Sequence, residues 1–510
     1  MDFPQAAAIR EMLALGGTEF TIVVIVSADS LQLVSRPIDL KAEFGPVLDV
    51  SCSFRRDVAG YWRLLSSEVE SMALNRLDLL LDFTGKPLAG DILDVPVHGV
   101  WSFLHREDRQ RSISIVTLAK LCNPFGSAIP LASCTLHADP ESAQNRHRAA
   151  MLAAAYLPAQ ICKALRNGRP DCLTAAARPD LLVPSRKSRW KQVFDILELG
   201  LTWGRAQLAS LLFMETWNIG IVQAPIHRFL EPGFRPDINW APPIGPRKFL
   251  ADPFAVPTEK GVELFVEEFD YDRYQGYICS AEWLPGQQPE WKTRIDKGIH
   301  MSYPYPIQHA GKRYVTPESS LNREVALYEC KSTAGAWPKV TTLIENFAAV
   351  DPTLIEYEGR WWLFCTCRDD FPDSKLYLWH APELSGPWEP HRMNPVKFDV
   401  RSSRPAGTPF WHNGSLYRPA QDSSKTYGGA IIINRITKLT LDEFEEEPAI
   451  HLEPFRHTPY HDGWHTLSAA GPITVLDGKR MGFIPRLSAR RLRHKVGRLS
   501  GLLFRQGGIR

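Results

Sequence analysis

An α/β domain followed by an all-β five-bladed β-propeller is the fold class this sequence predicts, on three observations. The hydrophobic period changes character near Trp217, and the stretch ahead of that change, Asn167 to Pro184, is rich in Arg, Pro and Ala. Beyond it a short motif recurs five times at roughly fifty-residue intervals.

A chain of 510 residues exceeds what one hydrophobic core holds, so two domains are expected. With 44% hydrophobic residues, 23% charged residues and a formal net charge of +2, the composition is that of an ordinary globular protein. It lacks the basic excess of a nucleic-acid binder, so no nucleic-acid partner is expected. The nine cysteines are scattered and form no C-x-x-C pair, which fits a reducing compartment and a cytoplasmic location. Cys365 and Cys367 fall on one face of a strand without other ligands nearby; they read as core, with no metal site and no cofactor expected. Met1 to Gly17 lacks a basic segment followed by an apolar run, and Leu197 to Phe213 is interrupted by Arg205, so neither a signal peptide nor a membrane span is expected.

In the first half, helical and strand periods alternate: a helix over Gln5 to Leu15, strands over Phe20 to Ser27 and Arg76 to Asp82, and a helix over Ala149 to Leu165. Alternation of this kind implies α/β layers. An amphipathic helix is expected over Trp190 to Met214, which places the domains at 1–170 and 217–510 with a linker and helix over 171–216.

The second half consists of short β-branched and aromatic runs separated by turns such as Tyr357-Glu358-Gly359-Arg360, His412-Asn413-Gly414 and Leu476-Asp477-Gly478. Its recurring motif is Asp252-Pro253-Phe254, Ser302-Tyr303-Pro304, Asp351-Pro352-Thr353, Arg404-Pro405-Ala406 and Trp464-His465-Thr466. Five units suit five blades, and the first residues of each innermost strand then converge on a central funnel. Asp252, Tyr303, Asp351, Arg404 and His465 are therefore candidate funnel residues.

Asp252-Pro253-Phe254, Asp351-Pro352-Thr353-Leu354 and Ala381-Pro382-Glu383-Leu384-Ser385-Gly386-Pro387-Trp388 resemble family-43 glycoside hydrolases. Trp217-Asn218-Ile219-Gly220, Ser302-Tyr303-Pro304, Pro317-Glu318, Arg404-Pro405-Ala406-Gly407 and Arg418-Pro419-Ala420-Gln421-Asp422 resemble the propeller domain of plant glucosamine inositolphosphorylceramide transferases and its bacterial counterparts. The first half is similar to a formyltransferase domain through Leu77 to Thr84, Gly99-Val100-Trp101-Ser102-Phe103 and the helix around Arg146 to Leu165. That resemblance implies an incomplete, degenerate Rossmann-type domain. The usual first strand is not found, and Ser102 and Leu104 stand where a formyl-transferring site has Asn and His, with His105 displaced by one. No productive folate binding is expected.

Glycosidic cleavage needs one carboxylic acid to protonate the leaving oxygen and one carboxylate on the opposite face of the sugar ring. Asp252, Glu318 and Asp351 sit at repeat positions and are the catalytic candidates. The family-43 resemblance implies a general base at Asp252 and an acid-orienting role for Asp351. Glu318 is the first choice of acid, with Glu267 and Glu268 as alternatives one strand further out. Arg404, Arg418 and Asp422 read either as a buried ion-pair network or, with Tyr303 and His465, as substrate-binding groups able to grip a phosphate or carboxylate. Trp361, Trp362, Trp379 and Trp411 offer faces for sugar C–H groups, although Trp361 and Trp362 face opposite sides of one strand.

The function expected is that of a glycoside hydrolase-like enzyme acting on a glycosidic or glycosyl-phosphate bond of a carbohydrate or glycolipid. The alternatives are a non-catalytic glycan- or glycolipid-binding module beside a glycosyltransferase, and a formyl- or acyl-transferase of amino sugars. The tail from Ala489 to Arg510 interleaves Arg490, Arg491, Arg493, Lys495 and Arg498 with Leu499, Leu502, Leu503 and Phe504. That pattern fits peripheral contact with anionic lipid.

Overall fold

The computed structural model describes residues 4–13, 22–25, parts of 54–84, most of 88–173, and 213–483 apart from 260, 285–287 and 332–334. It divides into two compact units, Met1–Arg189 and Trp190–Arg510. The basic tail after Ala489 lies outside the described residues, as does the expected helix over Trp190 to Met214 except for its last two residues. Phe213 and Met214 begin a strand instead of ending a helix, because Phe483 and Gly482 offer them an antiparallel partner.

The first unit is a mixed sheet with helices. Ile22–Ile25, Leu79–Asp82 and Val100–Asp108 run parallel, and Ile113–Cys122 and Ser127–His137 continue the sheet antiparallel. Leu79, Leu80, Leu81 and Asp82 are all buried, the pattern of a central strand covered on both faces. Helix Pro4–Leu13 packs on helices Ala143–Ala154 and Leu157–Arg166. Sequence periodicity favours one helix over Ala149 to Leu165; the chain breaks it at Ala155-Tyr156, because Pro158 has no amide hydrogen and is tolerated only in the first turn of a new helix.

The second unit contains five antiparallel sheets, four of them with four strands and one with five. Sheet I runs Lys248–Pro257, Val262–Asp270, Gln275–Trp283, Lys292–Ile295. Sheet II runs Ser302–His309, Lys312–Glu318, Glu324–Glu329, Lys339–Glu345. Sheet III runs Ala349–Tyr357, Arg360–Cys367, Lys375–Ala381, Glu389–Pro390, with Lys397–Phe398 also paired to Lys375–Ala381, and sheet IV runs Phe410–His412, Ser415–Asp422, Ala430–Leu439, Phe444–Leu452. Sheet V combines both ends of the unit: Leu467–Ala470 and Ile473–Phe483 are followed by Phe213–Val222 and Ile238–Trp240. Each sheet is open, and none curls into a barrel.

Large apolar side chains cement adjacent sheets. Phe254 and Phe265 of sheet I, Tyr305 of sheet II and Leu363 of sheet III share one buried cluster with Trp337. Toward the first strands the contacts become polar. The Tyr303 hydroxyl meets Thr353 Oγ1 at 2.8 Å and accepts the Gly407 N–H at 2.7 Å, tying sheets II and III to the chain entering sheet IV. Gly407 adopts φ 114°, and a Cβ there would lie 2.1 Å from the Leu467 carbonyl oxygen. This close approach explains the glycine after Arg404-Pro405-Ala406.

Candidate functional site

The repeated motif is a backbone device. Asp252, Tyr303 and Asp351 each precede a proline, each adopt a left-handed conformation (φ 48°, 48° and 51°), and each lie at a break in the register between the first two strands of their sheet. Proline disfavours the right-handed helical region for the residue before it, and a bulge swings that residue out of the ladder. Aspartate tolerates the left-handed region; for tyrosine it is strained and must be held by its surroundings.

Beside each bulge, Ala251 pairs with Glu267, Ser302 with Glu318 and Val350 with Thr366. Gln421 and Asp477 stand at the matching places in sheets IV and V, where Gln421 N–H donates to the Arg404 carbonyl and Asp477 N–H to that of Thr466. The second strands thus set out Glu267, Glu318, Thr366, Gln421 and Asp477. Asp477 Oδ2 accepts the Asp252 N–H at 3.3 Å, and Glu318 Oε2 accepts the Asp351 N–H at 3.3 Å. In both cases a second-strand carboxylate holds the bulged residue of the next sheet.

A cavity of about 370 Å³ opens over this region. Asp252, Glu267, Glu318, His300, Arg404 and His465 line it together with the aromatic side chains of Phe213, Trp217, Phe269, Tyr274 and Tyr427. A neighbouring cavity of about 630 Å³, lined by Lys248, Tyr460 and Arg480, shares Trp217, Phe249 and Met481 with it.

Asp252 is buried, with Oδ1 accepting the Thr466 hydroxyl at 2.8 Å and Oδ2 accepting the Tyr303 N–H at 3.1 Å. Burial, partly offset by His465, raises its pKa to about 6. Burial also raises Asp351 to about 6, against the pull of Arg404. His465 Nε2 lies 3.6 Å from Asp252 Oδ1, and its Nδ1 lies 2.5 Å from Asp477 Oδ2, an ion-pair contact outside hydrogen-bond geometry. The Trp217 ring stacks on this imidazole with centroids 4.0 Å apart. Burial opposes a charge on His465, but the Asp477 and Asp252 carboxylates outweigh it and raise the pKa.

Asp252, His465 and Asp477 bring three donor atoms within 4.8 Å of one another, a set able to hold a cation. The raised pKa of His465 favours a positive charge at the same place, and both oxygens of Asp252 and of Asp477 already accept hydrogen bonds.

Other candidates lie away from the cavity wall. Asp351 is buried and outside the cavity lining, with Oδ2 accepting Arg404 Nε at 2.7 Å and Gln421 Nε2 at 2.9 Å. Tyr303 is buried, and its hydroxyl is spent on Thr353 and Gly407, so it braces the sheets and does not face a ligand. Arg418 is 0% exposed and pairs with Glu446 through Nε at 2.9 Å and Nη2 at 2.6 Å, so its charge is consumed in the core of sheet IV. Asp422 accepts the Ser424 N–H and faces His451 Nε2 at 3.1 Å, also off the cavity.

Among the tryptophans, Trp361 and Trp362 are both buried, Trp379 packs against the core, and Trp411 is exposed and stacked on Tyr357. Cys365 and Cys367 are buried free thiols. In the first unit the Ser102 hydroxyl donates to Asp82 Oδ2 at 3.0 Å, and His105 Nδ1 faces His147 Nδ1 at 3.0 Å.

Sequence reading passed over His300, Tyr427 and the cavity role of Trp217. Their signal is weak, because none sits in the repeated motif. Glu267 was visible only as an alternative to Glu318.

Residues 242–467 match the family described as "Glucosamine inositolphosphorylceramide transferase 1, N-terminal". The match falls inside the five-sheet unit. The chain is 31% identical over 257 residues to Glucosamine inositolphosphorylceramide transferase 1 of Oryza sativa subsp. japonica, covering 46% of this chain and 34% of the relative. With the Arabidopsis thaliana protein of the same name it is 30% identical over 253 residues, covering 46% of this chain and 33% of that one. The chain therefore spans only a third of the length of these relatives. Among solved structures, Zg3597, a family 117 glycoside hydrolase of Zobellia galactanivorans, aligns at 16% identity and TM-score 0.33, over 46% of this chain and 85% of that one. The exo-β-1,3-galactanase 1,3Gal43A of Clostridium thermocellum aligns at 12% identity and TM-score 0.33, over 44% and 57%. None of these matches bears on the formyltransferase resemblance of the first unit.

Proposed function

We propose that the five-sheet unit is a carbohydrate-active enzyme that hydrolyses a glycosidic bond in the funnel, with Asp252 as the base that activates water. One observation carries this reading: Asp252, raised to about 6, opens on the same cavity as two further carboxyl groups, Glu267 and Glu318. Acid–base cleavage needs a basic and an acidic carboxyl group in one pocket, with environments that separate their titrations. The aromatic side chains that line the cavity provide flat apolar surface for sugar C–H groups.

Charge favours a glycosidic over a glycosyl-phosphate bond. Arg404 is the arginine at the cavity, and it is already paired with Asp351 at 2.7 Å and Asp373 at 2.9 Å. A phosphate entering there would meet Asp252 and Glu318 without a free arginine to receive it.

A second reading, a glycan-binding module working beside a transferring domain, is favoured by the family match, whose description names the N-terminal part of a transferase. Both oxygens of Asp252, and both of Glu318, accept hydrogen bonds within the protein, as purely structural carboxylates would. The two readings separate when the protein is incubated with a panel of 4-nitrophenyl glycosides. Hydrolysis by the parent and its loss in Asp252→Asn supports the enzyme; sugar binding without hydrolysis supports the module.

A further inference from the structure

The register of the sheets singles out one carboxyl group. Glu267, Glu318 and Asp477 occupy matching places on the second strands of sheets I, II and V. Asp477 is spent on the N–H of Asp252 and Glu318 on that of Asp351. By the same rule Glu267 would take the N–H of Tyr303, but Asp252 Oδ2 has taken it. Glu267 Oε1 is consequently left in the cavity wall, buried and without a hydrogen-bond partner, on a residue only 6% exposed.

Buried, unpaired carboxylate oxygens are costly, and a proton removes that cost. The surroundings agree. Burial, then the negative charges of Asp252, Glu318, Asp351 and Asp477, push the Glu267 carboxyl well above its usual range. Two like-charged neighbours in one pocket favour one of them holding a proton. His300 offers no compensating charge: burial lowers its pKa, and its Nδ1 accepts the Gly276 N–H at 2.9 Å and lies 3.7 Å from Glu267 Oε1.

We propose that Glu267, in place of Glu318, is the proton donor of the funnel, standing one register position from Asp252 on the neighbouring strand with a buried carboxyl oxygen, Oε1, that accepts no hydrogen bond among the described residues. The step rests on the hydrolytic reading above. The Glu267 O–H proton passes to the glycosidic oxygen as the C1–O bond breaks and its electron pair stays on that oxygen, releasing an alcohol. Water adds to C1 and gives its proton to Asp252. The sum is hydrolysis, with Asp252 releasing its proton to solvent and Glu267 taking one back.

Glu318 has a different task. Its Oε1 accepts the Ser320 hydroxyl at 2.8 Å and its Oε2 the Asp351 N–H, so it positions the bulge of sheet III.

Two measurements on the full chain test the assignment. Infrared difference spectra at pH 7.5, where groups titrating near 6 are ionised, should show a neutral carboxyl band that is present in the parent and in Asp252→Asn and absent in Glu267→Gln. For whichever sugar the parent hydrolyses, Glu267→Gln should slow the methyl glycoside by about 10²-fold or more while slowing the 2,4-dinitrophenyl glycoside by less than about tenfold, since a good leaving group needs no proton. Glu318→Gln should slow both alike. Circular dichroism confirms that each variant is folded, and Glu267→Asp, which keeps the acid but shortens its reach, should retain the infrared band with reduced turnover.

Equal losses on both substrates for Glu267→Gln, the leaving-group signature in Glu318→Gln, or no neutral carboxyl band in the parent each overturn the assignment while leaving hydrolysis intact. A parent that hydrolyses no glycoside overturns the hydrolytic reading itself, and the proton donor with it.

Discussion

Asp477 Oδ2 accepts the backbone N–H of Asp252 at 3.3 Å, across 225 positions of sequence. The same carboxylate accepts, through Oδ1, the N–H groups of His465 at 2.9 Å and Thr466 at 3.1 Å. One aspartate of sheet V therefore fixes both the bulged residue of sheet I and the strand entry that carries the funnel histidine. The cavity is held by carboxylates used as acceptors, and this explains why so many acidic groups surround it and why few are free.

Space for Glu267 depends on Gly276. A Cβ there would lie 2.1 Å from Glu267 Oε1 and 2.7 Å from the Met301 carbonyl oxygen. Gly276→Ala should displace the glutamate, because the backbone carbonyl cannot yield. The expected outcome is a fall in turnover with a small loss in thermal stability; unchanged turnover would show that the glutamate has room elsewhere.

Arg418→Met should cost stability and leave the funnel alone. It removes a bidentate partner from Glu446, a carboxylate whose side chain is 2% exposed, and leaves it Lys397 at 2.7 Å as ion-pair partner among the described residues. Breaking a buried pair by removing one partner costs about 3 kcal/mol or more. A lower urea midpoint with unchanged sugar binding is expected; weakened binding at unchanged stability would return Arg418 to the site.

How much of this was legible in the sequence follows from the range of the interactions. The positions Asp252, Tyr303 and Asp351 were readable because their motif recurs at roughly fifty-residue intervals, but the backbone bulge at each was not. His465 was readable from the register of the repeat. The choice between Glu267 and Glu318 was not, because it turns on which carboxylate receives an N–H from another sheet. Arg418 was left open for the same reason: its partner Glu446 lies two strands away in sheet IV. In the first unit the apolar periods placed a strand over Arg76 to Asp82, of which Leu79–Asp82 forms, while the break at Tyr156 depended on the place of one proline within a helical turn.

Stability should carry the signature of Asp252. Its pKa is raised to about 6 in the folded chain from an unfolded value near 3.8, so the folded state holds more protons between those values. Stability from this group therefore falls as pH rises through that window, by about 3 kcal/mol at most. Asn cannot titrate, so urea unfolding should show the parent losing ground to Asp252→Asn between pH 4 and about pH 6. A constant difference between the two across that window would contradict the raised value.

The central claim, that ionised Asp252 is the base of the funnel, is tested most directly by the pH dependence of kcat/KM for the hydrolysed glycoside. With the Asp252 carboxyl raised to about 6, the rate should climb from acid pH along a limb with an apparent pKa about there. Asp252→Asn should fall by a factor of about 10² or more and lose the limb. A rate that is already level below pH 5, or a variant that keeps both the rate and the limb, would contradict the account.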